Sequence, residues 1–291
     1  MIRQSDDETL QLAIPKGRMY DGVARLLAEA GIDLTQTVRN YRPHVNLPSC
    51  EVKILKPQSI VEMLHAGSRD VGFAGADWVA ELDGDLFELV DTGLDPVRVV
   101  AAAPTSLAPG GELPEMPLVI ASEYERLTRR WITDRKLDAT FVRSYGATEV
   151  FPPEDADLIV DNTATGSTLE ANNLVIVDEL MTSSTRLYAN PAALAQPERR
   201  QAIDGLVLLI NSVLEARRRV MVEVNVTAET LDAVLAVLPC MRQPTISELA
   251  GGDGFAVKAA VPRADLPAVM PKLKAAGGAD VVVTKLAQII P

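Results

Sequence analysis

The sequence predicts an α/β protein in which a large region of alternating strands and helices precedes a small C-terminal domain. Before residue 219, short apolar runs alternate with amphipathic helical segments, which is typical of parallel sheets with helices on both faces. From Val220 onward the order changes to βαββαβ. Aromatic residues are only 4% of the 291 residues, whereas hydrophobic residues are 47%. The cores must therefore be filled by Ala, Val, Leu and Ile.

The first region begins with a strand, a turn and a helix. Leu10–Ile14 is a short apolar run, and Lys16-Gly17-Arg18 follows Pro15. Apolar residues then recur at helical spacing until Gly31, where the helix is expected to end. Asp77 is placed to cap a helix that begins at Trp78. Further strands are predicted at Asp70–Ala74, Val97–Ala103, Leu118–Ala121, Ala139–Arg143, Leu158–Val160, Leu174–Val177 and Arg186–Ala189. Further helices are predicted around residues 60–64 and 124–132, from about Thr168, and over Pro197–Arg219.

The C-terminal segment has the element order of a ferredoxin-like domain. Pro271 falls inside its second helix and should kink that helix or shift its start. The predicted elements are strand Val220–Val226, helix Ala228–Leu238, strands Thr245–Leu249 and Phe255–Val261, helix Asp265–Ala276 and strand Val281–Ile290.

The charge balance excludes two classes of partner. The formal net charge is −12 and the sequence pI is near 4.7. A field of that sign repels nucleic acid and anionic membranes, so we expect neither as a partner. A phosphate site in this chain must depend on backbone N–H groups and a few placed cations.

The remaining composition favours a reduced, soluble protein. Cys50 and Cys240 form no C-x-x-C pair, so a reducing compartment fits and no disulfide is expected. His44 and His65 have no partner at metal-ligand spacing, which argues against a histidine metal site. The first ten residues lack the pattern of a secretory leader, and no apolar stretch is long enough for a membrane span. We therefore expect a cytoplasmic protein.

One loop has the residue pattern of an anion-binding site. The apolar strand Leu158–Val160 ends in Asp161, and small residues lead from it into a helix. Small side chains let the loop's backbone N–H groups converge on one anion, and the helix dipole favours negative charge there. Gly166 permits a left-handed turn or close approach of the backbone to a ligand. Asp161 could accept hydrogen bonds from two vicinal sugar hydroxyls or help to place a hydrated Mg²⁺. The residues predicted to bind the phosphate are Thr163, Ala164, Thr165, Gly166, Ser167 and Thr168.

This loop resembles the phosphoribosyl-pyrophosphate motif of ATP phosphoribosyltransferase, the first enzyme of histidine biosynthesis. Three other segments are similar to that family in the same order along the chain. They are the Pro15-Lys16-Gly17-Arg18 turn, the segment from Gly67 to Asp77 with the pattern D-x-G-x-x-G-x-D, and the pairs Leu238-Pro239 and Pro244-Thr245 with Ile246. Each motif is weak alone, but four in order are specific together.

The resemblance implies a reaction and a set of site residues. N1 of the ATP adenine attacks C1 of phosphoribosyl pyrophosphate, and pyrophosphate leaves with Mg²⁺ bound. Such a step needs charge stabilisation and alignment, not a protein nucleophile. Lys16, Arg18 and Asp161 are the expected catalytic residues, and Asp161 would contact the metal only through the Mg²⁺-bound substrate. The expected nucleotide-binding residues are Lys16, Gly17, Arg18, Asp77, Arg98 and Glu149, with Lys56 a weaker candidate.

The resemblance also implies an architecture and a mode of regulation. It predicts a two-lobed catalytic region like that of periplasmic binding proteins. Lobe I would comprise residues 1–103 with a return segment at about 182–218, lobe II residues 104–181, and a regulatory ferredoxin-like domain residues 219–291. It further implies a homohexamer, or dimers, inhibited by histidine, with Glu223 and Thr245 as candidate effector contacts.

The sequence departs from the family pattern at two positions. Asn162 stands where the family usually has an apolar residue, and Gln243 where it commonly has Ser. Neither change removes a phosphate donor. Two alternatives stay open from the residues alone. One is a two-lobed solute-binding protein without catalysis, and the other is a phosphoribosyltransferase that acts on a free base.

Overall fold

The computed structural model describes residues 9–35 and 41–291. The first eight residues, on which most of the argument against a secretory leader depends, lie outside this part of the chain. Contacts between Cα atoms divide the protein into two compact units. Unit 1 holds the residues up to Gly205 except Glu29–Gly31, and unit 2 holds Glu29–Gly31 and Leu206–Pro291. No helix in residues 9–35 and 41–291 is long and apolar enough to cross a membrane.

The elements that begin in unit 1 confirm the alternation of strands and helices. The strands are β1 Leu10–Pro15, β2 Leu34–Thr35, β3 His44–Val45, β4 Cys50–Leu55, β5 Val71–Gly75, β6 Phe87–Pro104, β7 Leu118–Ser122, β8 Ala139–Arg143, β9 Leu158–Thr163 and β10 Leu174–Ala189. The helices are α1 Arg18–Glu29, α2 Pro57–His65, α3 Ala76–Leu82, α4 Glu125–Arg135, α5 Ser167–Ala171, α6 Pro191–Leu194 and α7 Pro197–Arg218, which continues into unit 2.

Unit 1 contains an eight-stranded sheet in the order β4-β1-β5-β10-β6-β9-β7-β8. β1 pairs in parallel with β4 and β5, and β7 pairs in parallel with β8 and β9. β10 pairs antiparallel with β5 and β6, and β6 antiparallel with β9. The prediction of parallel sheets therefore holds for the two parallel groups of strands, but the sheet as a whole is mixed. Two long antiparallel strands join the parallel groups at either side.

The long strand β10 corrects a second prediction. Leu174–Val177 and Arg186–Ala189 were expected as separate strands, but they are the two ends of β10. The residues between them are mostly polar and give no apolar signal, yet their backbone pairs with β6. Register shifts interrupt this pairing, one of them between Ser183 and Thr185.

The cores contain the small aliphatic residues that the composition predicts. On β6, Val99, Ala101 and Ala103 pack in a cluster with Tyr124 and Trp131. Val100 and Ala102 belong to a second cluster that contains Leu169 and Leu174. Because neighbouring residues of a strand point to opposite faces, the sheet is covered on both sides.

Unit 2 contains the predicted ferredoxin-like order. Its elements are β11 Arg219–Val226, α8 Leu231–Val237, β12 Thr245–Glu248, β13 Phe255–Pro262, α9 Leu266–Ala275 and β14 Ala279–Lys285. The antiparallel sheet has the order β12-β13-β11-β14. Alternate valines of β11 are buried, and they pack with residues of α8 and α9. α9 begins at Leu266 and runs through Pro271.

Candidate active site

Two adjoining cavities in unit 1 bring most of the predicted site residues together. The first has a volume of about 360 Å³ and is lined by residues that include Lys16, Arg18, Asp77, Trp78, Asn162 and Ser183. The second, here called the loop cavity, has a volume of about 340 Å³ and is lined by Arg18, Glu149, Asp161, Asn162, Thr163, Ala164, Thr165, Ser167, Thr168 and Leu169. Arg18 and Asn162 line both cavities, so the two adjoin.

The geometry of the loop follows from its small residues. β9 continues through Thr163, three residues beyond the predicted end, and α5 begins at Ser167. Gly166 occupies the N-cap position of α5 with φ 87°, a left-handed conformation in which a side chain is strained. The Thr163 hydroxyl oxygen accepts a hydrogen bond of 2.9 Å from the Gly166 N–H. The hydroxyls of Thr165 and Ser167 lie 3.0 Å apart. The loop thus brings four hydroxyl-bearing residues and a helix start to the wall of one cavity.

Asp161 lies just before this loop, with its side chain in a mostly desolvated position. Its Oδ1 accepts a hydrogen bond of 2.7 Å from the Asn162 N–H. Burial raises the pKa of Asp161 to about 6, and the nearby carboxylates of Glu149 and Glu123 act in the same direction. A carboxylate in this position can accept hydrogen bonds from hydroxyl groups of a ligand in the loop cavity.

Asp77 has a different local role from the one predicted. The N-cap of α3 is Gly75, and Asp77 lies within the first turn. Its side chain is buried and accepts hydrogen bonds from the Ser183 hydroxyl and the Tyr124 hydroxyl, each at 2.6 Å. The Ser183 hydroxyl oxygen also accepts from the Asp77 N–H at 3.1 Å. The expectation of an N-cap is wrong because these partners, distant in sequence, bind the carboxylate.

The predicted cations are distributed unequally. Lys16 and Arg18 are exposed residues that line the first cavity, and the turn between them contains Gly17 with φ 78°. Arg98 lines neither cavity, and on β6 it forms an exposed ion pair of 3.3 Å with Glu179. Two cations therefore lie on the wall of the first cavity, and one of them, Arg18, also lines the loop cavity.

Sequence reasoning missed several residues of the cavities. The ring of Trp78, which lines the first cavity, stacks on the fully buried ring of Tyr124 at 4.7 Å between centroids. The polar run Ser183-Ser184-Thr185 lines the first cavity. In the sequence, this polar run lies between two apolar strand segments, and that pattern could have predicted that it lines a cavity.

The two histidines and the two proposed effector residues line neither cavity. His44 is in β3 and His65 in α2. Within residues 9–35 and 41–291, no group of three or more His, Cys, Asp and Glu side chains is placed to hold a metal ion. In unit 2, Glu223 on β11 pairs with Lys258 at 3.2 Å, and Thr245 lies opposite Lys258 in the register of β12 and β13. The two effector candidates are thus on strands β11 and β12, which flank β13, and both lie opposite Lys258 of β13.

A fold that brings exposed cations and a small-residue loop to adjoining cavities suits an enzyme that handles phosphorylated substrates, and the pentosyltransferases are such a class. Comparison with known proteins gives the family. Residues 56–212 match the family described as ATP phosphoribosyltransferase, and residues 216–288 match its separate C-terminal domain, described as HisG, C-terminal domain. The chain belongs to the ATP phosphoribosyltransferase family, in the long form that carries the C-terminal domain.

Relatives with this name extend along nearly the whole chain. The ATP phosphoribosyltransferase of Pelotomaculum thermopropionicum is 36% identical over 97% of this chain and 99% of its own length. That of Desulforudis audaxviator is also 36% identical, over 97% of this chain and 99% of its own length. A solved structure of the ATP phosphoribosyl transferase (HisG:HisZ) complex from Thermotoga maritima is similar with a TM-score of 0.64 and 27% identity. It covers 71% of this chain and 99% of that chain. The predicted family, transferase activity and fold class are therefore confirmed.

Proposed function

We propose that the two adjoining cavities hold the two substrates of the ATP phosphoribosyltransferase reaction. The loop from Thr163 to Thr168 would bind the 5-phosphate of phosphoribosyl pyrophosphate, and the first cavity would bind ATP. The observation that carries this assignment is that Arg18 lines both cavities. One guanidinium can there offset the charge of both polyanions.

The proposed roles follow from the chemistry of the transfer. When N1 of the adenine attacks C1 of the ribose, the bond from C1 to pyrophosphate breaks and negative charge grows on the leaving group. Lys16 and Arg18 stabilise that charge, and no protein nucleophile is required. Asp161 accepts hydrogen bonds from the ribose hydroxyls and orients C1 towards the nucleotide. The proposed nucleotide-binding set also includes Asp77, Gly17, Glu149 and Arg98. Asp77 lines the first cavity and Gly17 lies between Lys16 and Arg18, whereas Glu149 lines the loop cavity and Arg98 lines neither, so the geometry supports only the first two.

Phosphoribosyltransferases generally use a divalent metal, and we propose Mg²⁺ for this chain. The oxygen ligands available in the loop cavity fit a metal ion that arrives bound to the substrate. Asp161 offers one carboxylate there, and the described residues form no dedicated metal cluster. Mg²⁺ typically keeps water ligands and binds through one or two carboxylates plus substrate phosphates. Bound there, it would neutralise the departing pyrophosphate.

Regulation and assembly are proposed from the C-terminal domain. Histidine is the proposed feedback inhibitor, with Glu223 holding its amino group and Thr245 as a second proposed contact. The proposed assembly is a homohexamer or dimers. Since ATP and phosphoribosyl pyrophosphate are metabolites of the cytoplasm, we propose that compartment. Glu223 is already paired with Lys258, so an incoming amino group would have to compete with that lysine.

The decisive assay follows pyrophosphate release from ATP plus phosphoribosyl pyrophosphate. We expect release only with both substrates and Mg²⁺, and suppression by added histidine. Glu223→Gln should weaken the inhibition and leave the uninhibited rate unchanged. Release without ATP would refute the assignment of the first cavity. Equal inhibition of the wild type and Glu223→Gln would refute the effector site. Molar mass measured in solution with and without histidine tests the hexamer.

A further inference from the structure

A continuous series of hydrogen bonds connects residues on the wall of the first cavity, through the buried Tyr124, to residues on the wall of the loop cavity. The Ser183 hydroxyl donates to Asp77 Oδ1 at 2.6 Å, and the Tyr124 hydroxyl donates to Asp77 Oδ2 at 2.6 Å. Asn162 Nδ2 donates to the Tyr124 hydroxyl oxygen at 3.0 Å and to Asp161 Oδ1 at 3.4 Å. The series runs from β10 through α3 and the residue before α4 to the end of β9.

The middle of this series is rigid because it is buried. Tyr124 has none of its surface exposed, and Asp77 and Ser183 have 5% each. Burial raises the pKa of the Tyr124 hydroxyl, and the Asp77 carboxylate beside it adds to the effect. The phenol therefore stays protonated and gives its single hydrogen to the carboxylate. The stacked ring of Trp78 fixes the position of the phenol ring.

The direction of these bonds determines the orientation of Asn162. Because the Tyr124 hydrogen is committed to Asp77, the hydroxyl can only accept from Asn162. The amide nitrogen must then face Tyr124, and its second hydrogen points to Asp161 Oδ1. Both donors of the Asn162 amide group are thereby used, one towards the first cavity and one towards the loop cavity.

We propose that Tyr124 is a positioning residue for the transfer reaction. Its hydroxyl fixes, through Asn162, the Asp161 carboxylate and the start of the phosphate-binding loop relative to Asp77 and Trp78 in the first cavity. This inference rests on the substrate assignment proposed above. It assigns to Asp77 the task of holding Tyr124 and Ser183, since both carboxylate oxygens already have partners.

The test is a double-mutant cycle on kcat/KM for phosphoribosyl pyrophosphate at saturating ATP. Tyr124→Phe removes only the hydroxyl, and Asn162→Leu removes the amide at similar size. We expect each to lower kcat/KM about tenfold, the loss typical of one hydrogen bond that orients a charged group. If Tyr124 acts through Asn162, the double variant should be no slower than the slower single variant.

A matched control comes from a second buried tyrosine. Tyr188 lies on β10, is 4% exposed and packs in an apolar cluster with Ile60 and Leu64. Tyr188→Phe should leave kcat/KM within twofold of the wild type. A purely structural role of Tyr124 would lower the melting temperature without any coupling to Asn162.

Two outcomes would overturn the proposal. One is a kcat/KM within twofold of the wild type in Tyr124→Phe, and the other is a double variant whose loss is the product of the single losses. If Tyr124→Phe does not fold, the test depends on Asn162→Leu, whose site is only half-buried. An unchanged kcat/KM in Asn162→Leu would then refute the proposal. If the substrate assignment itself is wrong, substitutions in the loop, such as those at Gly166, will leave activity unchanged. The two failures are thus distinguishable.

Discussion

Replacing Gly166 by Ala tests the phosphate-binding loop most directly. Gly166 has φ 87° and ψ −8°, and no heavy atom lies within 4 Å of a Cβ built on it. The substitution therefore causes no collision within the protein. Its cost is the left-handed backbone conformation, about 1–2 kcal/mol for a residue with a Cβ.

That cost converts into an expected loss of activity. If the loop must return to this conformation to bind the 5-phosphate, 1–2 kcal/mol corresponds to a decrease of about 5- to 30-fold in kcat/KM for phosphoribosyl pyrophosphate. Gly166→Val adds a branched side chain at the wall of the loop cavity, and we expect it to abolish turnover while the fold stays intact.

Gly110 supplies the matched control. It has φ 76° and ψ 8°, also with no heavy atom within 4 Å of a built Cβ, and it lines neither cavity. Gly110→Ala should carry the same backbone strain and leave kcat/KM unchanged. Both alanine variants are assayed for pyrophosphate release, with circular dichroism to confirm folding. Equal kcat/KM in Gly166→Ala and Gly110→Ala would refute the loop assignment.

Three further predictions concern pH and stability. Because burial raises the pKa of Asp161 to about 6, its carboxyl is protonated below that value. The kcat/KM for phosphoribosyl pyrophosphate should fall as the pH drops through about 6, and a pH profile of Asp161→Asn that keeps this acid limb would disprove the role. The Asp70 carboxylate is 2% exposed and forms an ion pair of 2.8 Å with Arg199. Arg199→Ala removes this partner and should lower the free energy of unfolding by about 3–5 kcal/mol. Urea titration measures this, and Arg200→Ala, which removes an exposed pair, should stay within about 0.5 kcal/mol. Lys136 is exposed with φ 55° at the C-cap of α4, so Lys136→Gly should raise stability by about 1 kcal/mol; a lower urea midpoint would contradict this.

Much of the secondary structure was readable from local pattern. β8 has the predicted bounds, and β1 and β7 extend one residue beyond theirs. Their apolar runs are short and bounded by turn residues, and β1 and β7 are buried along nearly their whole length, as expected for strands covered on both faces. The ferredoxin-like order was predicted from local pattern as well, because β11, β13, α8 and α9 each bury apolar residues in one cluster.

The full length of the two long strands, β6 and β10, could not be predicted from local pattern. The central residues of β10 are polar, so their strand character comes from backbone pairing with β6 and not from their side chains. Parallel or antiparallel pairing is likewise decided by which segments meet, and residues far apart in sequence determine it.

For the site, the sequence by itself determined the position of the proposed phosphate-binding loop, because small residues and a glycine between a strand and a helix form a local pattern. It also placed Lys16 and Arg18 at the mouth of β1 and Asp161 at the end of an apolar run. Only the tertiary structure decided that Asp77 binds Ser183 and Tyr124, partners 106 and 47 residues away. The physical reason is that a buried carboxylate must find hydrogen-bond donors wherever packing brings them, and no local pattern records which distant side chains will arrive.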